Sequence, residues 1–177
     1  MGEPDAADAY YDGAFDAFIA AYLARTGRTM AHWRHFARAF EEERYPDANA
    51  IFASRGALAM PTVDDELARA RALTSPAWTG LDLVERDPRP SPEEVGAVAG
   101  FGLALDAPPL RADVYVFESW GAGIEVGARL EALVDGGPYQ AVSVVNGALL
   151  LFAVSEDPGP DGEAALHRLI SAFHGME

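Results

Sequence analysis

The plainest pattern in the chain runs from Ala112 to Ser155. Apolar positions alternate over ADVYVF, recur at helical spacing over WGAGIEVGARLEALV, alternate through QAVSVV, and run unbroken from Ala148 to Val154. Alternation places apolar side chains on one face of a strand, whereas intervals of three and four make a stripe along a helix. The stretch therefore predicts a strand, a helix capped by Ser119, and a two-stranded hairpin. Its turn is expected at Asn146-Gly147, a dipeptide suited to the positive φ angles of tight hairpin loops. A closing helix follows from Asp161 to Phe173, with Ala165, Leu169, Ile170 and Phe173 on its apolar side.

Upstream the period is mostly helical. Tyr11, Phe15, Phe18, Ile19, Tyr22 and Leu23 form the stripe of a first helix that opens at Asp5 and stops at Gly27. Asp8, Asp12 and Asp16 lie on a separate row, the solvated side. A second helix is predicted from about Thr29 to Arg44, and Pro46-Asp47 starts a short one through Ala53. Thr62 caps a third main helix, with Asp65 in the acidic position of a capping box and Val63, Leu67, Ala70 and Leu73 as its stripe. Leu81 and Leu83 alternate with polar neighbours and predict a short strand. Ser91-Pro92-Glu93-Glu94 starts a short helix, with its cap, its N1 proline and its acids in order. GFGLAL then reads as extended, ahead of a loop at Asp106–Pro109.

Together these elements predict an α+β protein. A bundle of three main helices, residues 1–77, packs on a β-α-β-β-α antiparallel sandwich, residues 78–177, that is ferredoxin-like or related. In that arrangement both helices of the sandwich share one face of the sheet. The parts are either two subdomains or one continuous domain. The hairpin strands are apolar on both sides in places, so a second layer must cover the other face: the N-terminal helices, a ligand, or a second copy of the chain.

Composition narrows the function. There is no cysteine, which excludes disulfides, thiolate metal sites and a cysteine nucleophile. There is no lysine either, which excludes Schiff-base chemistry and a P-loop lysine. The formal charge is −15, of which residues 76–177 carry −11 from 16 acidic and 5 basic groups. Phosphate contacts need a basic face, so nucleic acid and anionic membrane are not expected partners. MGEPDAADAY lacks the basic and apolar regions of a signal peptide. No apolar run approaches a bilayer's thickness. The expected location is the cytoplasm.

Motifs that carry chemistry are sparse. His32 and His35 lie one turn apart with Glu42 two turns further on, but His-Glu-x-x-His and repeated Glu-x-x-His sets are missing, so no metal is expected. Tyr115 to Gly127 resembles the first turn of a dinucleotide-binding Rossmann unit. Three departures argue against that resemblance: Gly127 comes one position late, the expected acid is replaced by Val145 and Asn146, and the next strand turns back as a hairpin. No cofactor is expected. Gly-x-Ser-x-Gly is absent. The reading leans away from an enzyme and towards a non-catalytic binding or regulatory protein. One form of it is an inhibitor or immunity-type partner of a basic protein, a protein–protein interaction; a second copy of the chain is a candidate partner under this reading and its alternative alike. The alternative is a small-molecule enzyme or carrier with a pocket between helices and sheet, whose candidate binding residues are Trp33, Trp78, Trp120, His32 and His35.

Overall fold

The computed structural model describes residues 17–75 and 84–174. The chain divides into two compact units, Met1–Pro61 and Thr62–Glu177. The strand expected at Leu81 and Leu83, the start of the first helix, its Asp8, Asp12 and Asp16 row, and Trp78 lie outside the described residues.

In the first unit, residues 17–26 are helical (α1), followed by α2 (Met30–Glu41) and α3 (Tyr45–Ala53). α2 ends earlier than expected, where Glu43 takes a positive φ of 55° and turns the chain into α3. Aromatic rings join the helices. Phe36 of α2 meets Phe52 of α3 at 4.8 Å, and Tyr22 of α1 stacks on the same Phe52 at 5.9 Å. Such ring pairs each add about 0.5–1.5 kcal/mol beyond the area they bury.

The second unit holds α4 (Val63–Thr74), β1 (Val84–Arg86), α5 (Pro92–Val95), β2 (Ala99–Asp106), β3 (Pro109–Val116), α6 (Trp120–Val134), β4 (Gln140–Asn146), β5 (Leu149–Ser155) and α7 (Pro160–Phe173). Local signals set several of these helix starts. Thr62 Oγ1 accepts from the Asp65 amide, and the Asp65 carboxylate accepts from the Thr62 amide at 2.8 Å. Ser119 likewise accepts from the Ala122 amide.

The strands form one sheet in the order β1-β2-β3-β5-β4, with every neighbouring pair antiparallel. β3 and β4 therefore run parallel with β5 between them, and α6 is the crossover of a split β-α-β unit. β3 begins earlier than the expected Ala112 and pairs with β2 along its full length, down to Pro109 opposite Asp106. In the second hairpin Asn146 pairs with Leu149, so the two-residue loop is Gly147-Ala148, one residue later than expected. Of the two, only Gly147 has a positive φ, at 64°. A glycine at the first loop position is what a type II′ turn requires.

Two clusters of buried side chains lie on opposite faces of the sheet. Val114, Val116, Leu149, Leu151 and Ala153 face α7, which contributes Leu166, Leu169 and Phe173, and α4, which contributes Ala70. The alternate positions Tyr115, Phe117, Leu150, Phe152 and Val154 face Val126 and Leu130 of α6 and Val95 of α5. Fully burying one such leucine or phenylalanine is worth about 1.5–3 kcal/mol. The expectation of two helices on one face is thus corrected: α6 and α7 cover different faces, and the unit has three layers. The third main helix expected of the N-terminal bundle belongs to the sheet unit, because Ala70 is fully buried in its core. The division falls ahead of that helix, at Pro61 and Thr62, and not at 77 and 78. Among the described residues no helix is long and apolar enough to cross a membrane.

Candidate functional site

Of the residues singled out from sequence, His32, Trp33, His35 and Trp120 are among the described residues. His32, Trp33 and His35 all lie on α2 but face different surroundings. His32 is 2% exposed. Its Nδ1 accepts from the Thr29 amide at 3.2 Å and lies 2.9 Å from Thr29 Oγ1. It takes the place that Glu or Gln holds in an ordinary capping box, so its role is to start α2. His35 Nε2 lies 3.0 Å from the carbonyl oxygen of Ala59, and Trp33 stacks on Phe36 at 5.6 Å. Trp120 is the first residue of α6, half-buried, in the other unit. Among the described residues no group of three or more His, Asp or Glu side chains could hold a metal ion.

Two buried polar clusters stand in the sheet unit. Asp113 on β3 is fully buried. Its Oδ1 accepts from Arg86 of β1 at 2.7 Å and from the Arg89 amide at 3.2 Å. Arg111 Nε lies 3.3 Å from Oδ2, as an ion pair without hydrogen-bond geometry. Gly102 stands opposite Asp113 in the register, and its missing side chain leaves room for the Arg86 guanidinium. Burial pushes the Asp113 carboxyl above its usual range and outweighs the two arginines, which act the other way. The neighbouring Tyr115 hydroxyl donates to the Pro90 carbonyl at 2.8 Å, and burial pushes its pKa up as well, with Asp113 adding to the shift. The second cluster centres on Asn146, whose Nδ2 donates to the Phe173 carbonyl at 2.7 Å and whose Oδ1 accepts from Arg69. Arg69 also pairs with buried Glu66 at 3.2 Å. Both clusters are centred on a fully buried group, Asp113 or Asn146, and their chemistry is that of clamps between elements.

The accessible feature lies where α6 crosses β4. Gly127 brings the helix close: a Cβ there would lie 2.7 Å from Ser143 Oγ. One turn later the Glu131 carboxylate accepts from the Ser143 amide at 2.5 Å. In an antiparallel ladder the residues of an edge strand point their amides alternately at the partner and away from it. Ser143 points away from β5, and by the same alternation so do Ala141 and Val145. A shallow cavity of ≈570 Å3 opens beside this edge; Ala128, Glu131, Ala132, Asp135, Tyr139 and Ala141 are among its walls. The charged residues in its lining, Glu131 and Asp135, are both acids. None of the described candidates, Trp33, Trp120, His32 and His35, is among its walls. Its one sequence signal is the four-residue spacing of Gly127 and Glu131, which puts both on the side of α6 that meets the sheet.

No protein-family model, no curated protein and no solved structure matches this chain.

Proposed function

We propose that this chain is a non-catalytic binding protein of the cytoplasm whose acidic sheet unit takes a basic protein as its partner. The observation that carries this reading is the charge of that unit. Residues 62–177 hold 19 acidic side chains against seven arginines, a net of −12. Four of those arginines, Arg69, Arg71, Arg86 and Arg111, pair with acids of the same unit. The acidic excess is therefore presented largely at exposed positions such as Asp64, Asp87, Glu93, Asp106, Glu156 and Asp161. A surface of one sign attracts the opposite sign over distance and speeds encounter more than it tightens the final complex. It is screened beyond about 8 Å at physiological ionic strength.

The test is capture on the immobilised full chain at low salt, followed by elution through a salt gradient. The expected result is one or a few strongly basic proteins that reload as purified components and leave at moderate salt. Retention of nothing but this chain, or of neutral proteins indifferent to salt, would overturn the reading.

A further inference from the structure

We propose that the outer edge of β4 is a strand-addition site for an extended basic segment of the partner, and that Glu131 guards it in the free protein. The inference rests on the basic-partner reading and specifies where, and in what conformation, the partner is held.

The two edges of the sheet differ. Among the described residues β1 spans Val84–Arg86, and it is followed by Pro88 and Pro90, which cannot continue a ladder of hydrogen bonds. β4 has seven residues, QAVSVVN, with no charge and no proline. Exposed edges are ordinarily blunted by lysine, proline, short length or an inward charge, because unpaired amides and carbonyls are a template for another strand. β4 carries none of these devices in its own sequence. Its guard comes from α6, where the Glu131 carboxylate occupies the outward amide of Ser143.

That guard is chemically removable. A carboxylate held by one amide will turn to an arginine or lysine that arrives beside it, since hydrogen bonds between two ionised groups are the stronger kind. In an added strand every second side chain projects towards the α6 layer, where Glu131 and Asp135 line the cavity. Backbone bonds to the outward amides and carbonyls of Ala141, Ser143 and Val145 would give affinity, and cations at alternate positions would give specificity. The occupant that fits is an extended segment with basic residues at every second position. Charge complementarity favours it over a second copy of this acidic chain.

The probe is a labelled peptide of alternating arginine and valine, titrated against the full chain. Ala141→Pro removes an outward amide and leaves the pairing with β5 intact. The chain is already extended at Gln140, as a residue before proline should be. We expect Ala141→Pro to weaken binding by about tenfold or more, the equivalent of one or two main-chain hydrogen bonds. Glu131→Gln should weaken it severalfold and reduce its salt dependence. Hydrogen exchange on the unaltered protein gives an independent reading: saturating peptide should protect the Ala141 and Val145 amides and leave those of Val142 and Val144, already paired with β5, unchanged. Undiminished, salt-sensitive binding by Ala141→Pro with no alternating protection would overturn the edge site and leave the basic-partner reading standing. Absence of peptide binding overturns the edge site too. So does a dimer of the free chain that Ala141→Pro dissolves, since the edge would then belong to a second copy.

Discussion

Asn146 has no exposed surface, and its side chain joins three elements of the sheet unit: β4 that carries it, α4 through Arg69, and the last turn of α7 through the Phe173 carbonyl. Truncation leaves the Phe173 carbonyl without this partner, at about 1–3 kcal/mol, and removes one bond to a charged group, at about 1.5–3 kcal/mol, while Arg69 keeps Glu66 and the backbone carbonyl of residue 146. We expect Asn146→Ala to lower stability by about 2–4 kcal/mol in urea unfolding, with an unchanged m-value. The chain conceals this role because Asn-Gly is a turn signal in its own right, and partners at positions 69 and 173 leave no mark on local sequence. Gly127 sets two effects against each other. Alanine is better than glycine in a helix by about 1 kcal/mol. A Cβ at this position, however, would lie 2.7 Å from Ser143 Oγ, 3.0 Å from Ser143 Cβ and 3.2 Å from Leu150 Cδ1, and two of those atoms cannot rotate away cheaply. Overpacking of this kind costs about 1–3 kcal/mol, so Gly127→Ala should be destabilising on balance. Ser143→Gly in the same chain should recover part of the loss, a coupling that a double-mutant cycle measures directly.

At the scale of elements, local chemistry makes many boundaries legible. Thr62 with Asp65, Ser91 with Pro92, and Ser119 each start a helix where the sequence places it, because a cap involves residues within one turn. Layering is not local. β5 is apolar at odd and even positions alike, which says that both faces are covered without saying by which helix. The cavity beside β4 is hidden for the same reason, since Glu131 and Ala141 belong to different elements and meet only after α6 has crossed. The clamp of β1 and β3 on Asp113 has a testable sign. Burial outweighs Arg86 and Arg111 and holds this carboxyl above its ordinary 3.8. A group that keeps its proton more tightly when folded gives stability at low pH and loses it as pH rises through the carboxylate range. Subtracting the stability of Asp113→Asn from that of the parent, pH by pH, isolates this term. The difference should favour the parent most near pH 3 and decline towards pH 6. A difference that grew with pH would mean that the ion pairs outweigh burial.

At the scale of the whole chain, the sheet unit carries both of its covering layers. Its core on one face is closed by α4 and α7, and on the other by α5 and α6. A fragment from Thr62 to Glu177 therefore has what an independent domain needs, an apolar core closed on both faces of the sheet. A fragment from residue 78 onwards, the boundary that the hydrophobic pattern predicts, loses α4. That loss opens the sheet face beside Leu103, Leu105 and Leu110 and removes Arg69 from Asn146. We expect the longer fragment to unfold cooperatively by circular dichroism and calorimetry, and the shorter one to aggregate or melt without a sharp transition. Because 12 of the 15 net negative charges lie in residues 62–177, the longer fragment should also retain the affinity of the full chain for the arginine–valine peptide and its salt dependence. A longer fragment that folds yet loses that affinity would place the binding determinants in Met1–Pro61. Cooperative folding of the shorter fragment would show that α4 rests on a sheet already stable without it.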